Sequence, residues 1–127
     1  MKSITKGVEV LWQDTKRIMG MPISFTKYAI IRKPGHWVKL VEETGVLSTN
    51  VEEVMLYRVD DLGVYQSVFG KMFGVGNVEV YCRDASCEVL VLKNIKKPHE
   101  VKTLLSDLVE EERRNRNIRY SEVQYWY

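Results

Sequence analysis

Apolar and polar residues alternate along most of this chain in short runs broken by turn residues, the period-two pattern of half-buried strands. Residues 8–13 set Val8, Val10 and Trp12 on one face. Residues 23–32, rich in Phe, Tyr and Ile, read as a second strand, and Lys33-Pro34-Gly35 as a turn. Proline presets φ there and glycine accepts positive φ. Residues 36–44 return as a third strand, with Trp37, Lys39, Val41 and Glu43 alternating against Val38, Leu40 and Glu42. Residues 45–50 bend. Residues 51–58, 62–68, 77–82 and 87–93 complete seven predicted strands. Asp60-Asp61 reads as a tight turn, residues 69–76 as a glycine-punctuated connection and residues 83–86 as a hairpin turn.

From Pro98 the period changes. Proline suits a first helical turn because its missing N–H would be unpaired there, and Glu100 favours the same end electrostatically. Val101, Leu104, Leu105 and Leu108 form one apolar stripe at i, i+3, i+4, i+7 spacing. Arg113, Arg114, Arg116 and Arg119 sit toward the negative end of the helix dipole. Residues 120–127 are aromatic and show no helical period. Seven consecutive strands without interleaved helices predict an antiparallel meander that curls into a barrel or sandwich. A helix with a single apolar stripe is suited to cover the end or seam left open. With Trp12, Trp37, Phe25 and Leu90 available, the interior is expected to be filled by side chains.

The 127 residues leave room for one domain. A net charge of +2 is too mild to argue for nucleic acid. No stretch approaches the roughly 20 apolar residues of a membrane-spanning helix, and the start resembles no signal peptide. The expected place is the cytoplasm, or the inner face of the membrane. Cys82 and Cys87 with His36 and His99 make no zinc-ligand pattern. A disulfide across a short turn is conceivable, but reduced thiols are expected where no secretion signal is seen.

Catalytic equipment is missing from the pattern. Gly74-Val75-Gly76 precedes a strand, whereas a phosphate loop needs a helix whose N–H groups face the anion. These glycines read as a turn or bulge. Gln66-Ser67 has no base in a recognisable relation to it. The carboxylate pairs Glu42-Glu43, Glu52-Glu53 and Asp60-Asp61 are sequence neighbours, which point to opposite faces of a strand. The chain is therefore not expected to be an enzyme, nor to take a small-molecule substrate, metal, cofactor or nucleic acid.

Several motifs occur in a telling order. Val54-Met55-Leu56-Tyr57-Arg58-Val59 leads to Tyr65-Gln66-Ser67, then Lys71, Gly74-Val75-Gly76 and the Val-rich run at 78–80. Val89 to Leu92, Lys93-Asn94-Ile95 and Pro98 follow, and Phe25-Thr26-Lys27-Tyr28 stands near the front. Over residues 11–114 this resembles the bacterial pleckstrin-homology (PH) domain family, once described as a membrane-associated domain of unknown function. The resemblance implies a mainly β fold: a seven-stranded antiparallel, partly open barrel capped by one C-terminal helix, and no catalytic residues. The domain is expected over residues 8–115, followed by an aromatic tail over 116–127. Two departures stand out: Lys71 where arginine is more usual, and no adjacent apolar helix of the kind many members carry.

Two surfaces are candidates for binding. In eukaryotic PH domains the loop joining the first two strands commonly carries basic residues that grip phosphorylated head groups. Lys16 and Arg17 stand in a similar place, with Lys27 on the next strand, and Ile18, Met19 and Met21 suit contact with a bilayer. The plainer expectation is that these apolar residues fold back onto the barrel. In the tail, Tyr125, Trp126 and Tyr127 are of the types enriched at interfaces. The first reading is a protein-interaction or self-association module using an open sheet edge and the tail. One alternative is a peripheral membrane module binding anionic lipid through Lys16, Arg17, Met19, Met21 and Lys27; the other, an enzyme, would need a concave pocket with convergent polar groups.

Overall fold

The period-two runs become strands whose inward residues meet across the ladders. A computed structural model describes residues 8–19, 21, 23–82 and 90–125, with the backbone alone from 118 onward. Strands β1 (Glu9–Thr15), β2 (Thr26–Arg32), β3 (Lys39–Thr44) and β4 (Asn50–Met55) form one antiparallel sheet in that order. Strands β5 (Val59–Tyr65), β6 (Val75–Cys82) and β7 (Leu90–Lys96) form a second. Ile30 lies opposite Leu40, and Leu40 opposite Val54. In the second sheet Val80 pairs with Leu62 and Leu90, and Val78 with Val64 and Leu92. These inward faces make one buried core.

The sheets do not merge into a closed barrel. Between β4 and β5 the chain turns through a single 3-10 turn, Leu56–Arg58, anchored by the Leu56 N–H to the Val38 carbonyl at 3.0 Å. On the other side the ends of β1 and β7 are joined by isolated bonds. Arg17 N–H reaches the Asn94 carbonyl at 2.8 Å, and Lys96 N–H reaches Asp14 Oδ2 at 2.9 Å. Deeper, the Lys93 N–H donates to the buried Tyr28 hydroxyl at 3.0 Å. This is the partly open barrel expected from the sequence.

Helix α2 (Pro98–Tyr125; α1 is introduced below) lies against the 3-10 turn, β5 and β6. Its stripe, Val101, Leu105, Leu108 and Val109, is buried in the core. Each such side chain contributes about 1.5–3 kcal/mol when fully covered. Glu112 is buried beside this stripe, and its Oε2 accepts the Val38 N–H at 3.2 Å. Arg113 donates to the Val59 carbonyl, and the Arg116 guanidinium lies 4.5 Å from the Tyr57 ring centre. The helix is thus fastened by apolar area and by polar bonds to the 3-10 corner.

The structure corrects five local readings. A helix, α1 (Val68–Phe73), occupies the stretch read as a glycine-punctuated connection. Ser67 caps it by accepting the Gly70 N–H at 3.0 Å, and Gly74, at φ 70°, ends it. Asp60 and Asp61 lie inside β5 at a register shift, because the 3-10 turn reverses the chain before them. Phe25 is 63% exposed rather than part of the filling, since it precedes β2 and lies outside the sheet. Residues 120–125 are helical although they lack a stripe, since propagation adds one backbone bond per residue once a helix exists. Cys82 is disulfide-bonded, against the expectation of reduced thiols. β6 and β7 are adjacent antiparallel strands, which gives that sulfur the proximity a disulfide needs. Cys87 and Val89 lie outside the described residues.

Candidate functional site

Three turns meet at the end of the barrel away from the 3-10 corner, and each displays large apolar side chains. The first joins β1 to β2. Ile18 and Met21 exchange backbone bonds of 2.9 and 3.0 Å, and Met19 adopts a left-handed φ of 53°. This tight reversal cannot fold its tip back onto the sheet. Ile18, Met19 and Met21 stay exposed, Met19 by 72%, contrary to the plainer expectation for this loop. Ser24 braces the base by donating to the Lys16 carbonyl at 2.5 Å.

The second element is α1. Gly70 is its buried residue, and a Cβ there would lie 2.6 Å from the Val75 carbonyl oxygen. The helix therefore approaches β6 through its glycine, which leaves its bulky residues outward. Val68, Phe69 and Met72 are each more than 70% exposed, and Phe73 is partly so. The third element, the β3–β4 turn, adds exposed Val46 and fully exposed Leu47. Its Gly45 donates to the Phe25 carbonyl at 3.4 Å, which joins this turn to exposed Ile23 and Phe25. Between the first loop and α1 runs a groove of about 500 Å³, with Ile18, Met19, Phe69 and Phe73 on its walls.

Arg17, the most covered basic residue of the first loop, is committed to the fold. Arg17 is mostly covered and pairs with Asp14 at 3.3 Å. Asp14 also accepts the Thr15 and Lys96 N–H groups. The pair is thus a clamp between β1 and β7. Lys27 lies directly opposite Glu43 in the β2–β3 ladder. Lys16 and Lys93 both act on Glu42, which sits opposite Glu52 on β4. Burial first, and then the Glu52 charge, raise the Glu42 carboxyl above its ordinary range, with Lys93 and Lys16 pulling the other way.

Of the residues singled out from sequence, Lys16, Arg17, Met19 and Met21 share the first loop, and Lys27 stands on the adjoining strand. Tyr125 ends the described part of α2, on the element fastened to the opposite corner. Trp126 and Tyr127 lie outside the described residues. The apolar face of α1 was missed in the sequence. Its one legible trace is the run Val68-Phe69-Gly70-Lys71-Met72-Phe73, too bulky for an ordinary turn and too short to show a helical period.

A family model described as Bacterial PH domain matches residues 23–109, more than half of the chain. The chain belongs to the bacterial PH domain family. No curated protein and no solved structure matches it. The matched part of this PH domain begins at Ile23, after the tip of the first loop, and includes α1 and the β3–β4 turn. No helix among its described residues is long and apolar enough to cross a membrane. No group of three or more His, Cys, Asp or Glu among them has metal-ligating geometry.

Proposed function

We propose that this PH domain is a non-catalytic peripheral module that docks on a membrane surface through its apolar pole. One observation carries the reading: large apolar side chains protrude from three separate turns at the same end. Exposed apolar patches of this kind mark interaction surfaces. A protein partner packs best against a contiguous, shape-complementary patch. A bilayer accepts several separate protrusions, each burying its own apolar area below the head groups.

The sheet edges lend less support to strand addition, the surface favoured from sequence. β4 displays Glu52 and Glu53, charges that discourage edge pairing, and the end of β1 is bonded to β7. Flotation with liposomes tests the proposal. The wild-type domain is expected to float, and Phe69→Ser/Met72→Ser to bind at least about tenfold more weakly, from the apolar area removed. Absence of flotation with every lipid, together with concentration-dependent association in light scattering, would replace the membrane by a protein partner.

A further inference from the structure

Charge is unevenly divided between the two sides of the apolar pole. Three lysines stand around the end of α1. Lys71 is in the last turn of that helix, which Gly74 closes. The Lys97 N–H donates to the Gly74 carbonyl at 3.2 Å, and Lys96 lies opposite Val75 in the β6–β7 ladder. All three are exposed. Lys71 and Lys96 make no ion pair among the described residues. Lys97 has Glu100 at 4.0 Å, but the two side chains are 63% and 75% exposed, a pairing of little strength in water. Asp14, the other carboxylate on this side, already holds Arg17. The corner therefore keeps three lysines against one glutamate. Lys16 and Lys93 lie on β1 and β7, whose ends border α1, and add to the same sign. The far side is opposite. Beside the β3–β4 turn stand Glu42, Glu43 and Glu52, with Lys27 across the ladder from Glu43.

We infer that the pole settles on anionic bilayers with its α1 side lowest, the head-group phosphates meeting Lys71, Lys96 and Lys97. This rests on the membrane reading above. The charged contact then falls at the corner of α1 and the β7–α2 turn rather than on Lys16 and Arg17, where the sequence suggests it. Phe69 and Met72 share the basic side and are drawn in with it. The β3–β4 turn, with exposed Leu47, is held off by the carboxylates beside it. A Lys near an anionic surface is worth about fivefold in binding, and the effect fades within a screening length of about 8 Å at physiological salt. Where a lysine stands on the pole thus decides what it contributes.

Flotation of the full chain with phosphatidylcholine vesicles, and with vesicles also containing phosphatidylserine, tests this. The expected result at low salt is binding to both, at least about tenfold tighter with phosphatidylserine. Salt at 1 M, which shortens screening to about 3 Å, should remove the difference. Lys71→Gln/Lys96→Gln/Lys97→Gln should lose the preference and keep the phosphatidylcholine binding. Equal binding of the wild type to both vesicles would overturn the inference while leaving the membrane reading intact. Binding to neither would overturn the membrane reading itself. Two single variants test the orientation. Lys96→Gln should weaken binding to the anionic vesicles about fivefold, and Lys27→Gln less than about twofold. Equal losses would mean that net charge acts without orienting the domain, and the inference would fall.

Discussion

The two ends of this small barrel carry similar side chains and treat them differently. From beside Gly74 to the 3-10 corner the aliphatic stripe of α2 is buried, and at that corner Glu112 and Arg113 bond to the strands and Arg116 covers Tyr57. At the loop pole Met19, Leu47, Phe69 and Met72 face solvent. Burial at the first end stabilises the fold. Exposure at the second leaves apolar area whose cover comes from outside the domain. The same residue type therefore holds the molecule together at one end and equips it for binding at the other. The difference lies in whether a second element reaches it.

The sharpest way to test that contrast is to cut one apolar residue from the buried stripe and one from the exposed pole. Leu105→Ala empties a fully buried site and is expected to cost about 2–5 kcal/mol in denaturant unfolding. Phe69→Ser is expected to stay within about 0.5 kcal/mol of wild type, although the same position is expected to matter for flotation. A comparable loss of stability from both would erase the distinction.

Polar anchoring is the next contrast. Glu112→Ala leaves the buried Val38 N–H without its acceptor, at a cost of about 1–3 kcal/mol. Glu112→Gln keeps an oxygen in place and should recover most of this. Equal losses in the two variants would mean that the charge, rather than the hydrogen bond, fastens the helix.

The smallest effect at neutral pH, and the most specific, concerns Tyr28. Burial chiefly, with Glu42 adding to it and the Lys93 hydrogen bond opposing it, pushes the hydroxyl from 10.0 up to about 12. The folded state then keeps a proton that the unfolded state has lost. Stability is fully present below pH 10 and falls as pH rises toward about 12. Alkaline unfolding curves should show this slope, and Tyr28→Phe should remove it. A slope that persists in Tyr28→Phe would assign it to other groups.

Much of the fold was legible because strand and helix periods are local. The alternation around Ile30, Leu40 and Val80 gave those strands away, as Pro98 and the leucine stripe did the last helix. Helix α1 was hidden because its reason is not local. Gly70 permits a close approach to the Val75 carbonyl, and nothing in six residues announces that contact. The candidate site was half legible. Lys16, Arg17, Met19 and Met21 were visible as a loop with both characters, but their partners were not. Asp14 takes Arg17 out of the apparent basic grip and into an internal pair.

By itself the sequence determined that this chain makes an antiparallel, helix-capped β domain, because the spacing of apolar residues sets which faces need cover. Only the tertiary structure decided which faces receive it. Ladder register places Glu43 opposite Lys27, and the glycine contact of α1 turns Phe69 and Met72 outward. Both depend on atoms brought together from distant parts of the chain, and a local pattern carries no information about such contacts.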